Sequence, residues 1–257
     1  MLTLDFESKK TTRLLGHKDT FNLISSLLKS NKLPNALMLS GNKGIGKSTI
    51  VNHLIYSYFD QENYDLKENT LIKKSNFYNL FTQNLHPNIF YLNGFEFKNI
   101  KIDDVRKLKI SLYKSSIIED KRFVILDDVE TFNHNSLNAL LKLIEEPNKN
   151  NFFILINNKS KSILETIESR CLNIKINLSY KKNNEIRSFL IDFFDQQLVL
   201  NKDYVKTRPG NFLRFNSFFY EKKMNIDDKF ILNLNKILKF YRVEKNLFYK
   251  DLLFFFI

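Results

Sequence analysis

Eight residues in the first fifth of the chain carry the clearest chemistry. Gly41-Asn42-Lys43-Gly44-Ile45-Gly46-Lys47-Ser48 satisfies the pattern G-x-x-x-x-G-K-[ST] in full. Glycines at these places let the backbone turn tightly enough for successive N–H groups to face one point, which is what a phosphate group requires. A lysine directly after the last glycine reaches β- and γ-phosphate oxygens, and a hydroxyl beside it ligates Mg²⁺. Gly41, Gly44, Gly46, Lys47, Ser48 and the adjoining Thr49 are therefore the expected nucleotide-binding set, with ATP and Mg²⁺ as ligands. A glycine-rich loop that fits by chance would lack the right flanks. Here an apolar run at 36–39 precedes the loop and a helical pattern at 49–59 follows it, so the helix N-terminus adds its partial positive charge.

A second acidic feature completes the chemistry. Phe123-Val124-Ile125-Leu126 ends in Asp127-Asp128, four apolar residues delivering a carboxylate to the end of a strand. Asp127 is expected to help Ser48 hold Mg²⁺, through water. Many strands end in Asp; the pairing with an intact phosphate loop gives this one its meaning. An ATPase of this kind usually carries Glu at the next position to polarise the attacking water. Asp128 stands there instead, one methylene shorter, and misplacing a base by about 1 Å costs on the order of a hundredfold in rate. Asp128 is thus a weak stand-in: nucleotide binding is expected, with slow turnover or none.

The elements that must position these groups read as α/β up to residue 178. Short apolar strands are predicted at 36–39, 89–92, 123–126, 152–156 and 172–176. Helical patterns lie between them. Leu23, Leu27 and Leu28 fall on one face, as do Val105, Leu108 and Leu112. The alternation predicts a parallel, doubly wound sheet with right-handed crossovers. Residues 62–79 are polar and read as a surface excursion. From about residue 179 the pattern is helical throughout, with an apolar stripe at Ile186, Phe189, Leu190 and Phe193, a turn at Thr207-Arg208-Pro209-Gly210, and a last helical stretch after Ile226. These aromatic stripes read as core. The expected domains are 1–178, 179–225 and 226–257.

Composition narrows the setting. The chain has 257 residues, 43% of them hydrophobic, enough for one large domain and a smaller one. Its single cysteine, Cys171, excludes an internal disulfide and a cysteine-held zinc, so no zinc is expected. The start lacks a secretory apolar core and the longest apolar run, at 252–257, is too short to span a bilayer. A soluble, cytoplasmic protein is expected. The net charge of +12 leaves two readings open: a face for a polyanion, nucleic acid first, or drift toward the Lys, Asn, Ile and Phe that A/T-rich codons favour.

Beyond Asp128 the sequence resembles one family closely. Asn138-Ala139-Leu140-Leu141-Lys142-Leu143-Ile144-Glu145-Glu146-Pro147, the strand at 152–158, and Ser169-Arg170-Cys171 are similar in order and spacing to the clamp-loader branch of the AAA+ proteins, which includes the bacterial γ/τ and δ′ subunits of DNA polymerase III and replication factor C. The resemblance covers roughly residues 14–176. Within the branch, Leu33-Pro34-Asn35-Ala36, His86-Pro87-Asn88 and Ile102-Asp103-Asp104-Val105-Arg106 look most like δ′.

The resemblance implies several things. Arg170 would act as an arginine finger supplied in trans to ATP on a neighbouring subunit, although an arginine capping a helix end is the plainer reading. Asn157 would be the sensor 1 residue, Arg214 the nearest counterpart of sensor 2, and residues 14–17 would lie where base contacts occur. Residues 179–225 would be a lid domain and 226–257 a short, apparently truncated part of the collar. The partners would be the γ/τ and δ subunits in a heteropentamer, the sliding clamp, and primer–template DNA reached through the complex, with no membrane. The four-cysteine zinc module common in the family is absent from the sequence. Two alternatives stay open: a γ/τ-like motor in which Asp128 does the work of Glu, and an interaction module with a vestigial phosphate loop. A small P-loop kinase or switch would have no use for the run at 138–147 or for Ser169-Arg170-Cys171.

Overall fold

The computed structural model describes residues 6–94, 100–113, 120–147, 150–200 and 207–256. The chain divides into one compact unit at Glu7–Asn177 and another formed by Met1–Phe6 with Leu178–Ile257. Along the first run α1 (Lys18–Lys29), β1 (Ala36–Ser40), α2 (Lys47–Phe59), the two-residue strands β2 (Tyr64–Asp65) and β3 (Thr70–Leu71), α3 (Asn76–Thr82), β4 (Ile89–Asn93), α4 (Ile102–Tyr113), β5 (Arg122–Asp127), α5 (His134–Glu145), β6 (Asn151–Asn157), α6 (Glu165–Glu168) and β7 (Leu172–Lys175). All five predicted strands are present, each within a residue or so of its expected ends.

They make one sheet in the order β4-β5-β6-β1-β7, and each neighbouring pair is parallel. The reason lies in the strands themselves. In β1, β5 and β6 every residue is buried, so both faces need cover, and the crossover helices of a parallel sheet supply it. Each buried Val, Leu, Ile or Phe side chain there contributes about 1.5–3 kcal/mol. Strand β7 at the edge is half exposed. Crossovers fall on both sides of β1, since β6 and β7 flank it while following it by more than a hundred residues.

Two local expectations are corrected. In α1 the buried line is Phe21, Ile24 and Leu28, while Leu23 is 51% exposed, because Phe21 outweighs the leucines in setting the helix phase. Residues 62–79 are more than a surface excursion. They contain the β2–β3 ribbon and the start of α3, and Tyr64, Leu71 and Tyr78 are buried. Tyr56 on α2 anchors this region, stacking on Tyr78 at 5.9 Å and meeting Phe81 edge-on at 5.2 Å. The polar residues between the aromatics masked them in the sequence. In α4, Val105, Leu108 and Leu112 are buried as expected.

The second unit is helical: α7 (Tyr180–Phe193), α8 (Pro209–Glu221), α9 (Phe230–Glu244) and α10 (Leu247–Phe256). Pro209 opens α8 at a position where its missing N–H costs nothing. Phe212, Phe215, Phe218 and Phe219 of α8, Ile237 of α9, and Phe248, Tyr249 and Leu252 of α10 share one core. Buried Asn216 fixes the connection before α8: its Oδ1 accepts from the Val199 and Leu200 N–H groups at 2.8 and 3.1 Å, and its Nδ2 donates to Gln197 O at 2.9 Å. The expected division at 225/226 therefore runs through a continuous core. The predicted stripe on α7 is shifted too. Asn183 and Arg187 are its buried residues, with the Arg187 guanidinium 3.9 Å from the Phe212 ring centroid, and Phe193 is 47% exposed. Among the described residues no helix is long and apolar enough to cross a membrane.

Candidate functional site

The sheet register assembles the site. Strand β6 lies between β1 and β5, with Asn157 opposite Ser40 and Ile156 opposite Asp127. The loop after β1, the acid ending β5 and the loop after β6 therefore meet at one edge. The Gly41 N–H donates to Asn157 O at 3.1 Å. Gly41 has no substitute here, since a Cβ would lie 2.4 Å from Ile176 O. Gly46, with φ at +104°, turns the chain into α2 in a conformation that side chains oppose. As the residue before the helix it has no side chain to cap the first-turn N–H groups, which face the loop.

Lys47 is 3% exposed. Its Nζ donates to Gly41 O at 2.6 Å and to Asn42 O at 2.9 Å, so the ammonium rests inside the loop's own carbonyls. Burial pulls its pKa down to about 8, and the negative charges of Asp127, Glu130 and Asp128 oppose that shift. Next to it, Ser48 Oγ donates to Asp127 Oδ2 at 2.9 Å. Asp127 Oδ2 also accepts from Tyr91 Oη at 2.8 Å, and Oδ1 accepts from the Asp128 N–H at 3.0 Å. Thr49 stands one residue on in the first turn of α2.

The two acids after Asp127 are bound to the loop that follows β6. Asp128 has a left-handed backbone, φ +53°, which Asp tolerates better than most residues. Its Oδ1 accepts from Asn158 Nδ2 at 2.6 Å. Burial, together with the Asp127 charge, pushes its pKa up to about 6, against the pull of Lys43 and the Asn158 hydrogen bond. Glu130, in the 3-10 turn Val129–Thr131, is 4% exposed. Its Oε1 accepts from Ser160 Oγ at 2.8 Å, while Oε2 is buried without a hydrogen-bond partner. Sequence reading stopped at Asp128 and missed this third acid; the signal was there in Asp127-Asp128-Val129-Glu130. Asn157, the expected sensor, turns back on its own backbone, with Oδ1 accepting from the Lys159 N–H at 2.8 Å. The asparagine that touches the acidic group is Asn158.

His17, from the upstream segment 14–17, also joins the site. Its Nε2 lies 2.8 Å from Ile45 O and so carries a proton, and its ring packs beside Gly46.

Arg170 is not gathered into this cluster. It follows α6 with its side chain 41% exposed, Nε 2.6 Å from Glu145 Oε1. Its Nη1 donates to Thr166 O at 2.8 Å. Glu145 ends α5, so the two sequence motifs at 138–147 and 169–171 meet in this ion pair. Burial pushes the Cys171 thiol up to about 11, which leaves it inert as a nucleophile at neutral pH. Arg214, in the second unit, lies with its guanidinium 5.2 Å from the Phe248 ring centroid.

The donor set fits a Mg²⁺-bound triphosphate. Among the described residues no group of three or more His, Cys, Asp and Glu is arranged to hold a metal. The Ser48 hydroxyl gives its proton to Asp127 and so keeps its lone pairs for a cation. The Lys47 ammonium can exchange two carbonyls for phosphate oxygens.

Comparison with known proteins follows the same direction. The family model described as DNA polymerase III, delta subunit, matches residues 16–179. The DNA polymerase III subunit gamma of Buchnera aphidicola subsp. Acyrthosiphon pisum is 30% identical over 167 residues, covering 64% of this chain and 44% of that protein. The subunit delta' of Pseudomonas aeruginosa is 31% identical over 138 residues, covering 53% of this chain and 41% of that one. The chain thus spans less than half the length of these curated relatives. Among solved structures, the Thermotoga maritima RuvB Holliday junction branch migration motor superposes with a TM-score of 0.53 at 16% identity, covering 92% of this chain and 81% of that one, a likeness of fold.

Proposed function

The chain belongs to the DNA polymerase III, delta subunit family and has the AAA+ fold, and from that premise we propose that it is a δ′-like clamp-loader subunit that binds ATP and lends Arg170 to a neighbour. The observation that carries this reading is the contrast in placement of two charged groups. Lys47 is buried on the phosphate loop beside Ser48 and Asp127. Arg170 stands half exposed at the surface, away from its own chain's phosphate loop in the hydrogen-bond network and held by Glu145.

In this reading Lys47 and the N–H groups of the loop bind the triphosphate. Ser48, held by its hydrogen bond to Asp127, would hold Mg²⁺, and the cation when bound would supply positive charge against the phosphates. Asp128, tied to Asn158 and shorter than Glu, holds the site more than it drives hydrolysis. Arg170 presents a rigid, always-charged fork to phosphate oxygens across a subunit interface. The helices from Tyr180 onward act together as the lid, α9 and α10 included, because they share the α8 core. The partners are the γ/τ and δ subunits in a cytoplasmic heteropentamer that opens the sliding clamp and closes it on primed DNA. The net charge of +12 suits a complex that works on a polyanion.

One observation favours the motor alternative: Glu130 adds a third buried carboxylate to the site, with one oxygen lacking a partner. A single experiment separates the two. ATP turnover is measured for the isolated chain and for the complex assembled with γ/τ and δ, each with and without Arg170→Ala. The δ′-like reading expects little turnover by the isolated chain and a large loss in the complex with Arg170→Ala. Brisk turnover alone, indifferent to Arg170 and abolished by Glu130→Gln, would make the chain a motor.

A further inference from the structure

Asp127 is held by more than its own strand and Ser48. On β4, Asn93 pairs with Asp127, and Tyr91, two residues earlier, points to the same face of the sheet. Its hydroxyl donates to Asp127 Oδ2 at 2.8 Å, the oxygen that also receives Ser48. Above the Tyr91 ring, 3.6 Å from its centroid, lies the Lys9 ammonium. Lys9 comes from the turn Ser8–Lys10 and is 8% exposed, a burial that a lysine rarely accepts without compensation. Its Nζ donates to Asn84 Oδ1 at 2.5 Å, and its backbone carbonyl accepts from Tyr56 Oη at 2.5 Å. Three separate segments thus converge to keep one cation on the face of one ring. A cation there draws on the ring's electrons and makes the phenol hydroxyl a stronger donor.

We propose that Tyr91, backed by Lys9, is a positioning residue for the site's cation: it fixes the Asp127 carboxylate in the orientation that keeps the Ser48 hydroxyl turned to it and open to Mg²⁺. The inference rests on the nucleotide reading above and adds a residue pair to it. Neither member belongs to the G-x-x-x-x-G-K-[ST] loop or to the strand that ends in Asp127. The pair serves cation coordination rather than phosphate contact, so it governs the gain in ATP affinity that Mg²⁺ brings and leaves cation-free affinity alone.

The test is calorimetric titration of ATP into the full chain, in Mg²⁺ and in excess chelator, for the unsubstituted protein, Tyr91→Phe and Lys9→Met. With Tyr91→Phe the affinity in chelator stays within about twofold, while the Mg²⁺-dependent gain shrinks roughly tenfold, as loss of a hydrogen bond to a charged acceptor implies. Lys9→Met shrinks the gain in the same direction by a smaller factor. An unchanged or larger gain in Tyr91→Phe overturns the proposal. A parallel fall in both conditions, with a lowered melting temperature, assigns Tyr91 to folding and overturns it as well. Absence of ATP binding by the unsubstituted chain in either condition overturns the nucleotide reading, and this inference with it.

Discussion

The phosphate end of Glu7–Asn177 and its Arg170 end are built on opposite plans. At the phosphate end Lys47, Asp127, Asp128 and Glu130 are all buried, and their partners come from three strand ends and the loops beyond them. Such a polar cluster is costly unless it is satisfied, and here it is nearly so in the protein alone. At the other end Arg170 is half in solvent, with one ion pair and one backbone contact. The first region is complete within the chain and should work without help. On the proposed reading the second acts only when a neighbouring subunit arrives. On that reading, a site that serves its own ligand and a group that serves a neighbour's are distinguishable by burial and by the origin of their partners.

The largest effect should come from the buried end. Lys47→Ala removes the ammonium from the phosphates, and ATP affinity measured by calorimetry is expected to fall about a hundredfold, the scale of charge-assisted hydrogen bonds lost together. Full affinity in that variant would mean that ATP, if bound, binds elsewhere. The same lysine predicts a pH dependence. It loses its proton as pH rises through about 8 in the ligand-free protein, so affinity should decline above that pH and level off below it. A profile flat to pH 10 would show that phosphate contact does not depend on the lysine charge.

Asp128 gives a third and smaller test, on stability. Its pKa is raised from 3.8 to about 6 in the folded chain. The protonated form is therefore favoured by folding. That contribution is fully present below pH 3.8 and is lost as pH rises through about 6, where the charge is buried. Asp128→Asn, which can still accept from Asn158, should raise unfolding stability at pH 7.5 by about 1–2 kcal/mol, part of the burial cost being offset by Lys43 and Asn158. The gain should vanish near pH 4. Thermal melts at the two pH values check this, and destabilisation at pH 7.5 would contradict it.

The exposed end should barely register in the isolated chain. Glu145→Gln breaks a half-exposed ion pair, whose worth is about 0.2–1 kcal/mol, so the melting temperature should move by little. In the assembled complex the same change should lower ATPase activity by a few-fold, because Arg170 loses its hold. A melting loss of many degrees with unaltered complex activity would erase the contrast between the two ends.

Much of this was legible in the sequence because it is local. The glycine spacing, the apolar run into Asp127 and the alternation of strands are written in consecutive residues, and the sheet register then brings Gly41 beside Asn157 without further information. What escaped was non-local or out of phase. Tyr91 and Lys9 reach the site from 36 or more residues away along the chain from the groups they support, and no period announces them. The choice between Asn157 and Asn158 turns on which amide the loop folds back on itself. On α1 and α7 a single bulky or polar residue, Phe21 or Arg187, set the buried face against the leucine and phenylalanine count.

The most direct test of the central claim is a calorimetric titration of Mg²⁺-ATP into the isolated chain. A preformed phosphate end predicts saturable binding at one site per chain, weakened about a hundredfold by Lys47→Ala and unaffected by Arg170→Ala. No binding without partner subunits, or binding lost with Arg170→Ala as well, would contradict it.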